Sequence, residues 1–144
     1  MPDLHAYLAG TWDVERSLTD RATGARGSFA GTVAFEPTDD GGLRQSESGT
    51  LRWGTHEGPA EREYVWAATG SPAAMDVFFP DGRPFHRADL ARGACDSDHW
   101  CSPDDYRVRY EALGPDELRY TWDVHGPAKD LLLESTLRRR RPHS

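Results

Sequence analysis

From Gly10 onward the sequence alternates apolar and polar residues with a period of two, and clusters of turn-forming residues break the alternation at close intervals. In an extended strand this period puts successive side chains on opposite faces, so each run offers one face to a core and one to water. Trp12, Val14, Arg16 and Leu18 share the first inner face, and Phe29, Gly31, Val33 and Phe35 the second. Leu43, Gln45, Glu47, Gly49, Leu51 and Trp53 form the third, followed by Arg62, Tyr64 and Trp66. Further runs cover Met75 to Phe79 and Arg83 to Leu90, the latter with His86, Ala88 and Leu90 on one face. Tyr106, Val108 and Tyr110 come next, then Leu118, Tyr120, Trp122 and Val124, and a last run from Asp130 to Arg138.

Turn chemistry separates these runs. Asp39-Asp40-Gly41-Gly42, Pro80-Asp81-Gly82, Gly114-Pro115-Asp116 and Gly126-Pro127 all read as tight turns. Gly54 to Ala60 reads as a loop, and residues 91–105, which include both cysteines, as irregular. Leu4, Tyr7 and Leu8 stand at helical spacing, so a short helix or turn precedes the first strand and plugs one end. No segment leaves room for crossover helices. The pattern predicts one all-β domain over residues 1–144, a closed up-and-down antiparallel barrel of about nine or ten strands. A two-sheet sandwich is the competing arrangement.

Composition narrows the partners. The 144 residues carry 17 basic against 24 acidic side chains, a formal net charge of −7, which argues against nucleic acid or an anionic membrane as partner. The basic run Arg138 to Arg141 reads as a solvated tail. No apolar stretch reaches the roughly 18 residues of a spanning helix, and the N-terminus has no signal-peptide pattern, so a cytoplasmic protein is expected. In that setting Cys95 and Cys101 are thiols. Hydrophobic content is only 37%, yet five Trp, five Tyr and five Phe imply a core of few, large pieces.

Some groups on the inner faces are out of place for a plain core. Arg16 lies between Val14 and Leu18, and Glu47 between Gln45 and Gly49. A buried charge is tolerated only when paired and hydrogen-bonded, so Arg16 and Glu47 are expected to meet across the interior, with Arg62 nearby. Such a cluster serves as structure or as a ligand anchor, since an interior arginine binds carboxylates well. The aromatic set of Trp12, Trp53, Tyr64, Trp66, Tyr106, Tyr110, Tyr120 and Trp122 falls on the inner faces and reads as core and also as the wall of a cavity for one small ligand. Lys129 reads as a surface lysine or as a charge at the mouth.

A second concentration of chemistry lies in His99-Trp100-Cys101-Ser102-Pro103-Asp104-Asp105-Tyr106, with His86 on a neighbouring run. His86 or His99 suits general acid–base work, Cys101 with a histidine base and Asp104 suits nucleophilic catalysis, and His86, His99 and Cys101 suit a soft metal. The structural alternative is an ordinary Pro-Asp turn and a buried thiol.

Gly10-Thr11-Trp12 is similar to the Gly-x-Trp start of lipocalins and other calycins. That resemblance implies a Trp at the closed end of the barrel, often beside an Arg from a late strand. Over nearly its whole length the chain resembles an uncharacterised bacterial domain-of-unknown-function family with a calycin-like barrel. The resemblance rests on Gly10-Thr11-Trp12 with Arg16, Glu47-Ser48-Gly49, Arg62-Glu63-Tyr64-Val65-Trp66 and Phe79-Pro80-Asp81-Gly82-Arg83-Pro84-Phe85-His86. It continues through His99-Trp100-Cys101-Ser102-Pro103-Asp104 and Gly126-Pro127-Ala128-Lys129-Asp130. What it implies is mainly the fold, and at calycin level the binding of small, largely apolar molecules.

Two functional classes therefore stand. The leading one is a binding barrel for a small aromatic or carboxylated metabolite, with Arg16, Glu47, Arg62, Tyr64, Trp66, Tyr106, Tyr120 and Trp122 as ligand-lining residues and no bound cofactor. The alternative is an isomerase, cyclase or lyase using His86, His99, Cys101 and Asp104, or a metal protein built on the same histidines and thiol. The sequence does not specify an oligomeric state.

Overall fold

The computed structural model describes residues 3–101 and 104–140, and side chains within 96–101 lie outside what is described. A short helix, α1 (Leu4–Leu8), precedes ten strands. These are β1 (Gly10–Asp20), β2 (Arg26–Pro37), β3 (Leu43–Trp53), β4 (His56–Ala68), β5 (Ala74–Phe78), β6 (Pro84–Asp89), β7 (Ala94–Cys101), β8 (Asp104–Gly114), β9 (Glu117–His125) and β10 (Asp130–Arg139). All ten belong to one antiparallel sheet in the order β6-β5-β4-β3-β2-β1-β10-β9-β8-β7. Sequence neighbours are sheet neighbours except at β6 and β7, and the first and last strands pair, with Trp12 opposite Arg139. The outermost strands β6 and β7 run side by side, so the sheet curls into a nearly closed barrel rather than a sandwich.

The inner faces follow the alternation. Trp12, Val14, Val33, Phe35, Leu43, Leu118 and Leu137 are buried, and the intervening residues of their strands are mostly exposed. Closing a sheet this tightly needs places where strands approach without side chains. Gly31 and Gly49 face each other in the β2–β3 ladder, and a Cβ on either would lie within 2.3 Å of the partner backbone.

α1 plugs one end. Asp3 caps it by accepting from the Ala6 N–H, and Leu4 and Leu8 are fully buried beneath it. The Tyr7 hydroxyl reaches the carbonyls of Gly114 and Glu117 at 2.8 and 2.9 Å. Trp12 donates its indole N–H to the Leu8 carbonyl, and the Arg139 guanidinium lies 4.2 Å from the Trp12 ring centroid. This is the closed-end Trp–Arg arrangement that the calycin resemblance implies.

The fold departs from the expected pattern in two places. Residues 94–101, read as irregular, form β7 and pair with β8, setting Asp96 opposite Arg109 and Asp98 opposite Arg107. Their polar composition hides the strand, because no apolar face marks a period. The expected loop from Gly54 to Ala60 shrinks to Gly54-Thr55, since Gly54 adopts φ of +62° and lets Trp53 pair directly with His56. Among the described residues no helix is long and apolar enough to cross a membrane.

Candidate functional site

Midway along their strands, the inward positions of β1, β3, β9 and β10 deliver a polar cluster to the lumen. Arg16 and Glu47 are 5% and 3% exposed, and Arg16 Nη2 lies 2.9 Å from Glu47 Oε1. Arg16 also donates from Nε to Ser135 Oγ and from Nη2 to the Tyr120 hydroxyl, both at 2.6 Å. Tyr120 donates to Glu47 Oε2 at 3.1 Å, and Gln45 Nε2 donates to the same oxygen at 2.9 Å. The Gln45 carbonyl oxygen then accepts from Trp66 Nε1 at 2.8 Å. Each charge thus leaves water with an opposite charge and several hydrogen bonds, the condition under which burial is tolerated. Burial pulls the Arg16 pKa down, but Tyr120 and Glu47 outweigh it and leave it above the ordinary arginine value. Burial raises the Tyr120 hydroxyl and Glu47 adds to the rise, while Arg16 opposes it without cancelling it.

Two cavities open from this cluster toward the end opposite α1. The inner one, about 70 Å³, is lined by Arg16, Phe29, Glu47, Ala60 and Arg62, with Leu18 on its wall. The outer one, about 360 Å³, is walled by Trp53, Tyr106, Trp122, Val124 and Leu131, with Lys129 at its rim. They share Leu18 and Arg62. At this end the inward positions carry residues that are only half-buried, unlike those near α1. Trp53 is laid along one side by Gly27, its partner in the β2–β3 ladder, where a Cβ would strike the Trp53 ring.

Arg62 stands between the cavities. It faces Glu47 in the β3–β4 ladder, yet it makes no ion pair among the described residues, and its Cζ lies 5.2 Å from the Trp122 ring centroid. Its polar neighbour is Tyr64, whose hydroxyl is raised by burial and pulled back by the Arg62 charge. The buried Trp122 Nε1–H has no acceptor among the described residues. Lys129 Nζ lies 3.5 Å from Asp104 Oδ2.

The expected site residues separate into three groups. Arg16, Glu47, Arg62, Tyr106 and Trp122 line the cavities. Tyr64, Trp66 and Tyr120 are buried behind them and line neither; Tyr64 packs on Phe79, Phe85 and Trp122, and Trp66 on Phe35 and Tyr110. The expected three-membered charge cluster is therefore a pair, Arg16 with Glu47, and Arg62 stands apart from it. His86 and Asp104 have separate partners: His86 Nε2 lies 3.0 Å from the Tyr110 hydroxyl, and Asp104 meets Lys129. Neither lines the two cavities. The side chains of His99 and Cys101 lie outside the described residues, among which no three His, Cys, Asp or Glu side chains gather as a metal site would require.

Sequence reasoning missed Ser135 and gave Trp53 and Lys129 no place among the ligand-lining residues. Ser135 carries a usable signal, since it sits between Leu133 and Leu137 at inward parity, where a hydroxyl needs a partner.

Residues 8–139 match DUF6314, a family of unknown function. No curated protein matches the sequence. Among solved structures, the chain is similar to the S-type phycobiliprotein lyase of Guillardia theta, with a TM-score of 0.68, 12% identity, and 96% of this chain and 92% of that one covered. It is similar to a DUF3598-family protein of unknown function from Nostoc punctiforme, with a TM-score of 0.63 and 14% identity over 97% of this chain and 51% of that one. A redesigned β-barrel bound to DFHBI gives a TM-score of 0.52 at 15% identity, covering 94% and 97%. At these identities the likenesses establish the fold, a calycin-like barrel.

Proposed function

We propose that this chain, which belongs to the DUF6314 family, binds a small aromatic or carboxylated metabolite inside its barrel. One observation carries the reading: a cavity of about 360 Å³ with an aromatic and aliphatic wall meets a half-buried arginine that lacks a carboxylate partner among the described residues. Small-molecule sites are concave, mostly apolar, and fitted with a few polar groups that orient the ligand, at volumes of roughly 300–1,000 Å³. The outer cavity falls at the lower end of that range. Arg62, Tyr106 and Trp122 are the contact residues in this reading, with Arg16 and Glu47 as the polar floor and Tyr64, Trp66 and Tyr120 holding them in place. The redesigned barrel bound to DFHBI supports it by analogy, since a barrel of this form holds a small molecule.

His86 and Asp104 contribute no acid–base group to the cavity lining, so the binding reading stands ahead of the catalytic one. A cytoplasmic setting belongs to the same proposal and is checked by fractionating the host. Native mass spectrometry of protein purified from its own host tests the function. A retained organic molecule of matching size supports it. Protein that emerges unliganded, and that binds no member of an aromatic and carboxylate panel at millimolar concentration, sinks it.

A further inference from the structure

Charge bookkeeping inside the lumen gives a sharper answer than its shape. Arg16 and Glu47 neutralise each other at 2.9 Å, and Glu47 also accepts from Gln45 and Tyr120. Lys129 at the rim has Asp104 at 3.5 Å. Glu61 touches the inner cavity only from the exposed parity of β4. Arg62 is left, so among the described residues two interior arginines and one glutamate leave a single unmatched positive charge.

A second unmatched donor lies beside it. The Trp122 indole N–H is buried without an acceptor among the described residues, and the guanidinium of Arg62 stands over the same ring at 5.2 Å. Leaving a buried donor unmade is expensive, and an unmatched half-buried charge more so. One kind of group would meet both deficits: a planar anion with two acceptor oxygens, which suits the guanidinium fork and a nearby N–H. Above Arg62 the walls are apolar and aromatic, from Leu18 and Trp53 to Leu131. Below it the inner cavity of about 70 Å³ suits ordered water and no organic body.

Resting on the binding reading above, we infer that the barrel selects monocarboxylates with a flat apolar body, held acid-first by Arg62 and the Trp122 N–H. The Arg16–Glu47 pair is then a structural floor and not the anion anchor. A dianion would bring a second charge into the apolar outer chamber, where the rim lysine is already paired with Asp104. A neutral analogue leaves Arg62 unmatched.

The experiment is calorimetric titration of 1-naphthoate and of its neutral amide, 1-naphthamide, into wild-type protein, Arg62→Met, Arg62→Lys and Trp122→Phe, with far-UV circular dichroism to verify each fold. Wild type should prefer the acid by about tenfold or more, the scale of one hydrogen bond to a charged group. Arg62→Met should erase that preference by weakening the acid at least tenfold more than the amide, and should raise the melting temperature because an unmatched charge is gone. Arg62→Lys should keep a reduced preference, which covers the case of a poorly folded methionine variant. Trp122→Phe should weaken the acid several-fold more than the amide. Equal binding of acid and amide by wild type overturns the inference and leaves the binding reading intact. So does a preference that survives Arg62→Met. Failure of wild type to bind either compound overturns this inference, and the binding reading falls with it only if the wider aromatic and carboxylate panel fails too.

Discussion

The closed and open halves of the barrel are built from the same ten strands with the same alternation, yet they use their inward positions differently. Near α1, Trp12, Val33, Phe35, Leu43 and Leu137 are all 2% exposed or less, and helix, Trp12 and Arg139 seal the end. Toward the β9–β10 turn, Leu18, Trp53, Arg62, Trp122 and Leu131 are only half-buried and surround a cavity. Strand periodicity settles which face a residue takes and is silent on whether that face is filled. What separates the halves is the buried Arg16–Glu47 belt between them, which closes the core from above and leaves Arg62 on the far side. Stability should therefore be concentrated on one side of the belt and recognition on the other.

The largest contrast should come from matched truncations. Leu137→Ala, at a fully buried closed-half position, should destabilise by about 2–5 kcal/mol, whereas Leu131→Ala in the open half should cost about 1 kcal/mol or less. Urea denaturation measures both, and equal costs would break the division. Cutting the belt is expected to be nearly as severe. Glu47→Leu leaves Arg16 buried without its counter-charge and should cost about 3–5 kcal/mol, much of it recovered by adding Arg16→Met. A double variant no better than the single would show that the pair contributes packing rather than charge balance.

Alkaline pH sharpens the same comparison. Burial raises the Tyr110 and Tyr120 hydroxyls above their ordinary value of 10.0, with Tyr120 assisting the rise at Tyr110 and Glu47 that at Tyr120. Below pH 10 both native and unfolded chains keep these protons. Above it the unfolded chain releases them first, so native stability should be full below about pH 10 and fall as pH rises toward the native-state values. Chemical denaturation across that window, with tyrosinate absorbance as a second probe, checks the sign. A stability that rises there would contradict the burial of these hydroxyls. The smallest effect belongs outside the barrel: Arg52→Ala, which removes an exposed pair with Glu57, should change stability by less than about 0.5 kcal/mol in the same urea assay.

Much of this organisation is legible in the sequence, for a physical reason. Inward parity alone puts Arg16 and Glu47 on buried faces, and the desolvation penalty then demands that they meet, as they do. The same logic places the aromatic residues inside. Parity does not say how high a side chain stands along the barrel axis or how far it reaches across the lumen. It therefore grouped Arg62 with the pair, although its guanidinium turns toward Trp122. It also set Tyr64, Trp66 and Tyr120 beside Tyr106 and Trp122 as one wall, although only the latter two line the cavity. β7 leaves no mark in the sequence pattern because its strand character comes from pairing with β8 rather than from an apolar face of its own. His99 and Cys101 lie within that strand, with side chains outside the described residues.

The measurement that bears most directly on the division is the response of the tryptophan indole N–H signals in a ¹H–¹⁵N spectrum of the intact protein as 1-naphthoate is added. The Trp53 and Trp122 signals, from the open half, should move with a common saturation curve. Those of Trp12 and Trp66, below the belt, should stay in place. Movement of Trp12 or Trp66 in step with the ligand, or stillness of Trp122, would contradict an open half that binds and a closed half that only supports it.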